Sequence, residues 1–314
     1  MAAYTILDKE EIKTIVSQYA IGSVHTYSIL SGGSENTNYG VITTDGSYVL
    51  TVCEQKSIQK ATELAHLLEH LEAHNFSTSK VVRDLNQALI TMWNDKPILL
   101  KEYLKGNILE DFPNHLLTLL GKELGKLHQI EAPEYLPKDI AYGMEYFEEV
   151  QTYSPDSLFG SWLKDIKKMV QKQISSPLPK TLVHSDIFYS NVIVGDDGNS
   201  VVIMDFEEAS YYYRIFDLGM MIIGLCSKGE AIDLAKVGHI LKGYQEEVQL
   251  LDVEKDSLKL FTIYAAAGTA FWRHKHFTYV KPDSAMSKHY LHMKNIADSI
   301  RTLPDDCFKK LLNS

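Results

Sequence analysis

Apolar and polar positions divide the chain into an early stretch of mixed elements and a longer, mainly helical one. Asp8 and Glu11 stand three apart just ahead of Ile12, Ile15, Val16 and Tyr19, the spacing of a capped helix. From Val24 the period shortens to β-prone runs at Val24 to Leu30, Tyr39 to Thr43 and Ser47 to Cys53. The last two flank Thr44-Asp45-Gly46, whose Asp-Gly pair predicts a hairpin. Ser57 is placed to cap a helix carrying Ile58, Ala61, Leu64, Leu68 and Leu71 on one stripe. Two more strands, Ala88 to Trp93 and Ile98 to Leu104, are joined by the polar turn Asn94-Asp95-Lys96-Pro97.

Leu104-Lys105-Gly106-Asn107 reads as a linker, after which the pattern turns helical. Leu116, Leu117, Leu120, Leu124 and Leu127 predict a long buried helix ending near His128. Ser175 to Pro179 breaks the pattern. Val192 to Val194 and Val201 to Phe206 then form a β-rich island around Gly195-Asp196-Asp197-Gly198-Asn199, and helical spacing resumes from Phe216. The expectation is an α+β protein of two lobes. Residues 1–104 would form a small lobe of antiparallel sheet plus helices, and 105–314 a large, mainly helical one.

Composition narrows the class. With 314 residues, 45% hydrophobic and 23% charged, the chain can bury a sizeable core without disulfides or a structural metal. That excludes disorder, collagen-like repeats and small secreted scaffolds. A net charge of −10 lacks the broad positive field of a nucleic-acid binder but leaves room for a local basic pocket. Cys53, Cys226 and Cys307 are far apart and odd in number, the usage of free thiols in a reducing compartment. No basic segment followed by an apolar stretch opens the chain. The longest apolar run, Leu218 to Cys226, falls well short of the roughly 20 residues that span a bilayer. A cytoplasmic protein without membrane or nucleic-acid partners is expected.

The candidate chemistry concentrates in His184-Ser185-Asp186-Ile187-Phe188-Tyr189-Ser190-Asn191, with Asp205-Phe206 beyond it. A hairpin turning about Gly198 would set Asn191 opposite Asp205, since each is seven residues from the turn. A carboxamide oxygen beside a carboxylate suits Mg²⁺, which takes one or two such ligands and completes its shell with water and phosphate oxygens. Asp186, on the loop entering the same hairpin, would orient a hydroxyl and accept its proton. The spacing is the His-x-Asp-x₄-Asn and Asp-Phe pattern of eukaryotic-like kinases, with Glu207 in place of the glycine that usually follows. A second segment, Ser31-Gly32-Gly33-Ser34-Glu35-Asn36-Thr37-Asn38, could fold over phosphates or be a plain glycine-rich hairpin. It is not a P-loop, since no Gly-Lys-Ser/Thr follows. A competing motif is His66-Leu67-Leu68-Glu69-His70, the inverted zinc-peptidase signature, which a solvated helix face explains without metal.

Taken in order, the chain resembles the aminoglycoside-phosphotransferase and choline-kinase superfamily, a two-lobed relative of protein kinases, and within it the bacterial homoserine kinases. The similarity runs through Gly33 to Tyr39, Tyr48-Val49-Leu50-Thr51, Leu124-Gly125-Lys126-Leu127-His128, the His184 to Asn191 loop, Asp205-Phe206, Phe216-Asp217-Leu218 and Phe271-Trp272. The resemblance implies ATP- and Mg²⁺-dependent phosphorylation of a metabolite hydroxyl, L-homoserine first, in threonine biosynthesis. An amino alcohol, aminoglycoside or sugar is the alternative acceptor, and a zinc hydrolase built on His66, Glu69 and His70 a remote one. Asp186 would direct the hydroxyl proton, while Asn191 and Asp205 would hold Mg²⁺. His184 and Asp217 would brace the loop. Gly33, Ser34, Asn36 and Asn38 would cover the phosphates, and Glu102, Tyr103 and Leu104 would receive the adenine. Glu207, Trp272 and Arg273 would meet the substrate, Glu207 its ammonium and Arg273 its carboxylate.

Three departures from the family pattern stand out. Thr51 replaces the strand lysine of protein kinases, as it often does in the homoserine kinases. Ile223-Gly224-Leu225-Cys226 stands where an Asn-Asp-Trp-Cys run is common, and Ala270 replaces the arginine that often precedes Phe-Trp.

Overall fold

The computed structural model describes residues 5–30, 36–174 and 177–313, which group into two compact units. The first comprises residues up to Asn107 together with Val202–Glu207, and the second Ile108–Val201 with Glu208 onward.

In the first unit, helix α1 (Lys9–Val16) starts as expected: Asp8 accepts the Glu10 and Glu11 N–H groups and Glu11 returns a carboxylate to the Asp8 N–H at 2.9 Å. Strands β1 (Val24–Ile29), β2 (Thr37–Thr43), β3 (Ser47–Val52), β4 (Thr91–Trp93) and β5 (Lys96–Glu102) form an antiparallel sheet in the order β1-β2-β3-β5-β4. Leu50 faces Leu100 in the β3–β5 register. Tyr39, Val41, Leu50, Val52, Ile98 and Leu100 pack with Ile12, Ile15 and Val16 of α1. Leu99 is also fully buried, so β5 is covered on both faces. Helix α2 (Ile58–Ala73) is capped by Ser57 and buries Ala61, Ala65, Leu67, Leu68 and Leu71, while Ile58 is exposed.

The β4–β5 turn is tighter than the sequence suggested. Asn94 and Asp95 both have positive φ and form a two-residue connection, so Lys96 and Pro97 belong to β5. Pro97 keeps a place in the sheet because its carbonyl still accepts the Cys53 N–H at 2.9 Å. Residues 202–207 join this unit through buried contacts: the Thr78 hydroxyl donates to the Ile203 carbonyl at 2.8 Å, and Phe76 packs edge-on against Phe206.

The second unit opens with α3 (Asn114–Leu127), then the short α4 (Val150–Tyr153) and α5 (Leu158–Gln173). Strands β6 (Lys180–Val183), β7 (Val192–Val194), β8 (Val201–Ile203) and β9 (Ser210–Tyr213) follow, β8 running into 202–207. The β-rich island is therefore larger than its pattern suggested, because β6 pairs antiparallel with β9 and sets Leu182 opposite Tyr211. The tyrosine run of β9 carries no period-2 polarity, which hides it from pattern reading. After α6 (Arg214–Leu225) come the two-residue strands β10 (Ser227–Lys228) and β11 (Ala231–Ile232). The chain ends in α7 (Leu234–Glu247), α8 (Asp252–Lys275), α9 (Tyr290–Thr302) and α10 (Cys307–Leu312). Among the described residues no helix is long and apolar enough to cross a membrane. The three cysteines are free and buried.

Helices α3 and α7 approach so closely that their crossing admits no side chain. A Cβ on Gly243 would lie 1.8 Å from the Thr118 carbonyl oxygen, and one on Gly121 would lie 2.1 Å from that of Ile240. Gly243→Ala must push the helices apart and should lower unfolding stability by about 1–3 kcal/mol. Urea denaturation checks this, and an unchanged midpoint would contradict the close crossing.

Candidate active site

The candidate catalytic loop is held by one carboxylate. Asp217, in the first turn of α6, is fully buried and accepts the His184 N–H at 2.7 Å and the Ser185 N–H at 2.8 Å. His128, at the C-cap of α3, presents Nε2 to the same carboxylate at 3.2 Å, and its Nδ1 meets the Tyr244 hydroxyl at 2.8 Å. Ser185 adopts a left-handed backbone (φ 75°), unusual for a buried residue with a Cβ. It is held there from both sides: its N–H by Asp217 and its carbonyl by the Tyr142 hydroxyl. Gly224 of α6 completes the seat, since a Cβ there would lie 2.0 Å from the Ile187 carbonyl oxygen.

On this seat the chemistry-bearing groups are ordered. The Asp186 N–H donates to His184 Nδ1 at 3.2 Å, which makes that ring nitrogen an acceptor. The Asn191 amide donates to the Asp186 carbonyl at 2.8 Å and to its Oδ2 at 3.1 Å. Both amide hydrogens are thus committed to Asp186, and the carboxamide oxygen is the atom left for a cation. Asn191 closes a 3₁₀ turn (Tyr189–Asn191), and Asp205 lies past the end of β8 with φ 70°. The hairpin register also differs from the symmetry expected about Gly198, because Gly195 donates to Ser200 at 3.0 Å and shifts the pairing by one residue. Index symmetry assumed that strand pairing continues to both residues, and the backbone leaves the ladder before either. Asp205 is exposed and makes no hydrogen bond among the described residues.

Arg273, near the end of α8, lies in the same unit as Asp186. Its guanidinium is largely buried and its Nη1 has no hydrogen-bond partner among the described residues. Burial pushes its pKa down to about 10, opposed by the Asp186 carboxylate. Trp272 stacks on His276 at 4.6 Å, so its ring is committed within its own segment. His274 turns into an aromatic cluster with Tyr153, Phe159 and Tyr290. Ile223, Cys226 and Ala270 are buried in the helical core, so these departures from the family pattern are packing positions.

The first unit carries its own polar cluster. Asn36 donates to Glu207 Oε1 at 2.5 Å, and the Lys56 ammonium pairs with Oε2 at 3.0 Å. Both oxygens of Glu207, the expected ammonium acceptor, thus have a partner within the first unit. Burial raises its pKa, helped by the neighbouring Asp205 charge and opposed by Lys56 and Lys101. The Thr51 hydroxyl donates to Asn38 Oδ1 at 2.7 Å. Of the expected hinge residues, Glu102 and Tyr103 spend their N–H groups on the Lys80 and Ser47 carbonyls, whereas Leu104 makes no such bond among the described residues. Gly33 and Ser34 lie outside the described residues.

The zinc-like motif has a different use. Glu69 grips Arg83 through both oxygens, each receiving a guanidinium hydrogen at 2.8 Å, and His70 packs on His74. Among the described residues no group of three His, Cys, Asp or Glu side chains could hold a metal. Lys56, His128 and Tyr142 escaped the sequence reading as site residues. Lys56 precedes a helix cap and Tyr142 lies in an irregular segment, so neither carries a local signal.

A sheet-bearing unit, a helical unit and a braced His-x-Asp-x₄-Asn loop define a kinase-like phosphotransferase. Residues 26–250 match the phosphotransferase enzyme family, and the chain belongs to it. It is similar to a protein of Chelativorans sp. (strain BNC1) named homoserine kinase, 26% identical over 267 residues, 80% of this chain and 82% of that one. Among solved structures it resembles the amicoumacin kinase hAmiN in complex with AMP-PNP, Ca²⁺ and Ami, with a TM-score of 0.75, 18% identity and 97% of each chain covered. It also resembles a microcompartment-associated aminopropanol kinase, with a TM-score of 0.71, 14% identity, and 97% of this chain and 99% of that one covered. The protein is accordingly a phosphotransferase with an alcohol group as acceptor.

Replacing the Asp217 carboxylate by an amide would aim an N–H₂ at one of the two backbone donors it serves. Asp217→Asn should cost about 2–4 kcal/mol of stability and depress phosphoryl transfer. Denaturation midpoints equal to wild type would show that the loop does not depend on this carboxylate.

Proposed function

We propose that this phosphotransferase moves the terminal phosphoryl group of ATP, with Mg²⁺, to the hydroxyl of L-homoserine, in the cytoplasm. The observation that carries the substrate assignment is Arg273. A buried guanidinium with an unpartnered nitrogen is costly unless something pairs with it, and a planar fork of donors suits a carboxylate. Its electrostatic coupling to Asp186 joins carboxylate recognition to the residue assigned to the hydroxyl. An amino alcohol has no carboxylate to meet that nitrogen. The relative named homoserine kinase supports the same reading.

The residues present fit Mg²⁺ by the chemistry of their donors: the Asn191 carboxamide oxygen is left over from its bonds to Asp186, and Asp205 is an exposed carboxylate. We assign both to the cation. Bound there with the nucleotide, Mg²⁺ would offset phosphate charge. Asn191 orients the Asp186 carboxylate, which would accept the hydroxyl proton as the new O–P bond forms. The hinge role of Glu102, Tyr103 and Leu104 falls to the Leu104 N–H as donor to the adenine.

A substrate panel read by ADP release tests the assignment. L-Homoserine should be the preferred acceptor, and an amino alcohol used equally well would move the protein to that acceptor class. Arg273→Ala should raise the KM for homoserine by a factor corresponding to about 2–5 kcal/mol while sparing Mg-ATP affinity. Asp205→Ala should abolish metal-dependent ATP binding in a calorimetric titration. Wild-type affinity in that variant would remove Asp205 from the metal site.

A further inference from the structure

The cluster around Glu207 answers a question of charge. A nucleoside triphosphate brings several negative charges to a protein already at −10, two of whose carboxylates, Asp205 and Glu207, stand in one short stretch. On β3, Thr51 is neutral, buried and bonded to Asn38. The cations acting on Glu207 within the first unit are Lys56 and Lys101, and of these Lys56 is held in an ion pair with it. Its side chain and that of Glu207 are each only 17% exposed, and the two meet at 3.0 Å. Glu207 is itself held by Asn36.

The three members come from segments with separate reasons to lie at a phosphate site. Asn36 lies in the glycine-rich segment, Glu207 directly follows Asp205-Phe206, and Lys56 precedes the Ser57 cap of α2. The cluster is also incomplete. Asn36 Oδ1 is buried without a hydrogen-bond partner among the described residues, as in a site that completes its bonding on a ligand or its water shell. A self-contained structural ion pair would leave no such acceptor unmet.

We propose that Lys56, positioned by Glu207, is the cation that neutralises the nucleotide's phosphates in this enzyme, in place of a lysine on β3. The inference rests on the ATP-dependent reading above. Lys56 would act as a point charge on phosphate oxygens, and Glu207 would keep its ammonium beside Asp205 before the nucleotide arrives.

Calorimetric titrations of Mg-ATP and of adenosine into wild type, Lys56→Met, Lys56→Gln, Lys56→Arg and Lys101→Met test this. Lys56→Met and Lys56→Gln should weaken Mg-ATP binding about 30-fold or more, as expected when a desolvated charge loses its partner, and leave adenosine binding unchanged. Lys56→Arg should recover most of the loss, and Lys101→Met should bind as wild type does. Lys56→Gln can still donate to Glu207, so it keeps the test open should Lys56→Met fail to fold. Unchanged ATP affinity in Lys56→Gln, or an equal loss for adenosine, would overturn the inference while leaving the kinase reading intact. A wild-type protein that does not bind Mg-ATP would overturn both.

Discussion

One buried carboxylate organises the helical unit. Asp217 offers two oxygens to two consecutive backbone N–H groups, and no neutral side chain supplies two acceptors in that geometry. The charge is tolerated at full burial because those donors and His128 surround it. Its position on α6 ties the loop to a helix that packs on α8, the helix carrying Arg273. The left-handed backbone at Ser185 follows from the same arrangement. Pinned at its N–H and its carbonyl, it turns the chain so that Asp186 is presented next to Asn191.

Two largely buried arginines of this unit differ in how their charge is satisfied. Arg214 forms a two-point pair with the buried Glu254, both bonds at 2.7 Å, and Glu254 also accepts the Leu251 N–H ahead of α8. Every oxygen there is used, so the pair closes on itself and staples two helix starts. Arg273 is the opposite case. It pays for burial without a full set of partners, and the deficit is local to the residue assigned to the substrate hydroxyl. In the first unit Asn36 shows the same kind of deficit beside an otherwise satisfied ion pair.

Glycine-mediated contacts set the distances on which these sites rest. Gly121 and Gly243 bring α3 and α7 together, and Gly224 lets α6 touch the loop backbone. The run Ile223 to Cys226, one of the departures from the family pattern, forms the floor beneath the loop.

Elements whose causes are local could be read from the chain alone. The Asp8–Glu11 box, the Ser57 cap, the Asp45-Gly46 turn and the leucine stripe of α3 each depend on neighbours within a few residues, and each stands where its pattern placed it. The order of motifs through His184, Asp186, Asn191, Asp205 and Asp217 likewise identified the family, because a motif's spacing is a property of the chain. What those groups touch is set by packing in the folded chain. Index symmetry about Gly198 assumed an unbroken ladder, and the 3₁₀ turn at Asn191 and the left-handed Asp205 interrupt it. The partners of Glu207 come from positions 36 and 56, far along the chain, and the partner of His128 from position 217. Burial left Arg273 a nitrogen without a partner among the described residues. Such pairings arise from packing across long separations, where no period or spacing in the chain records which side chain will arrive.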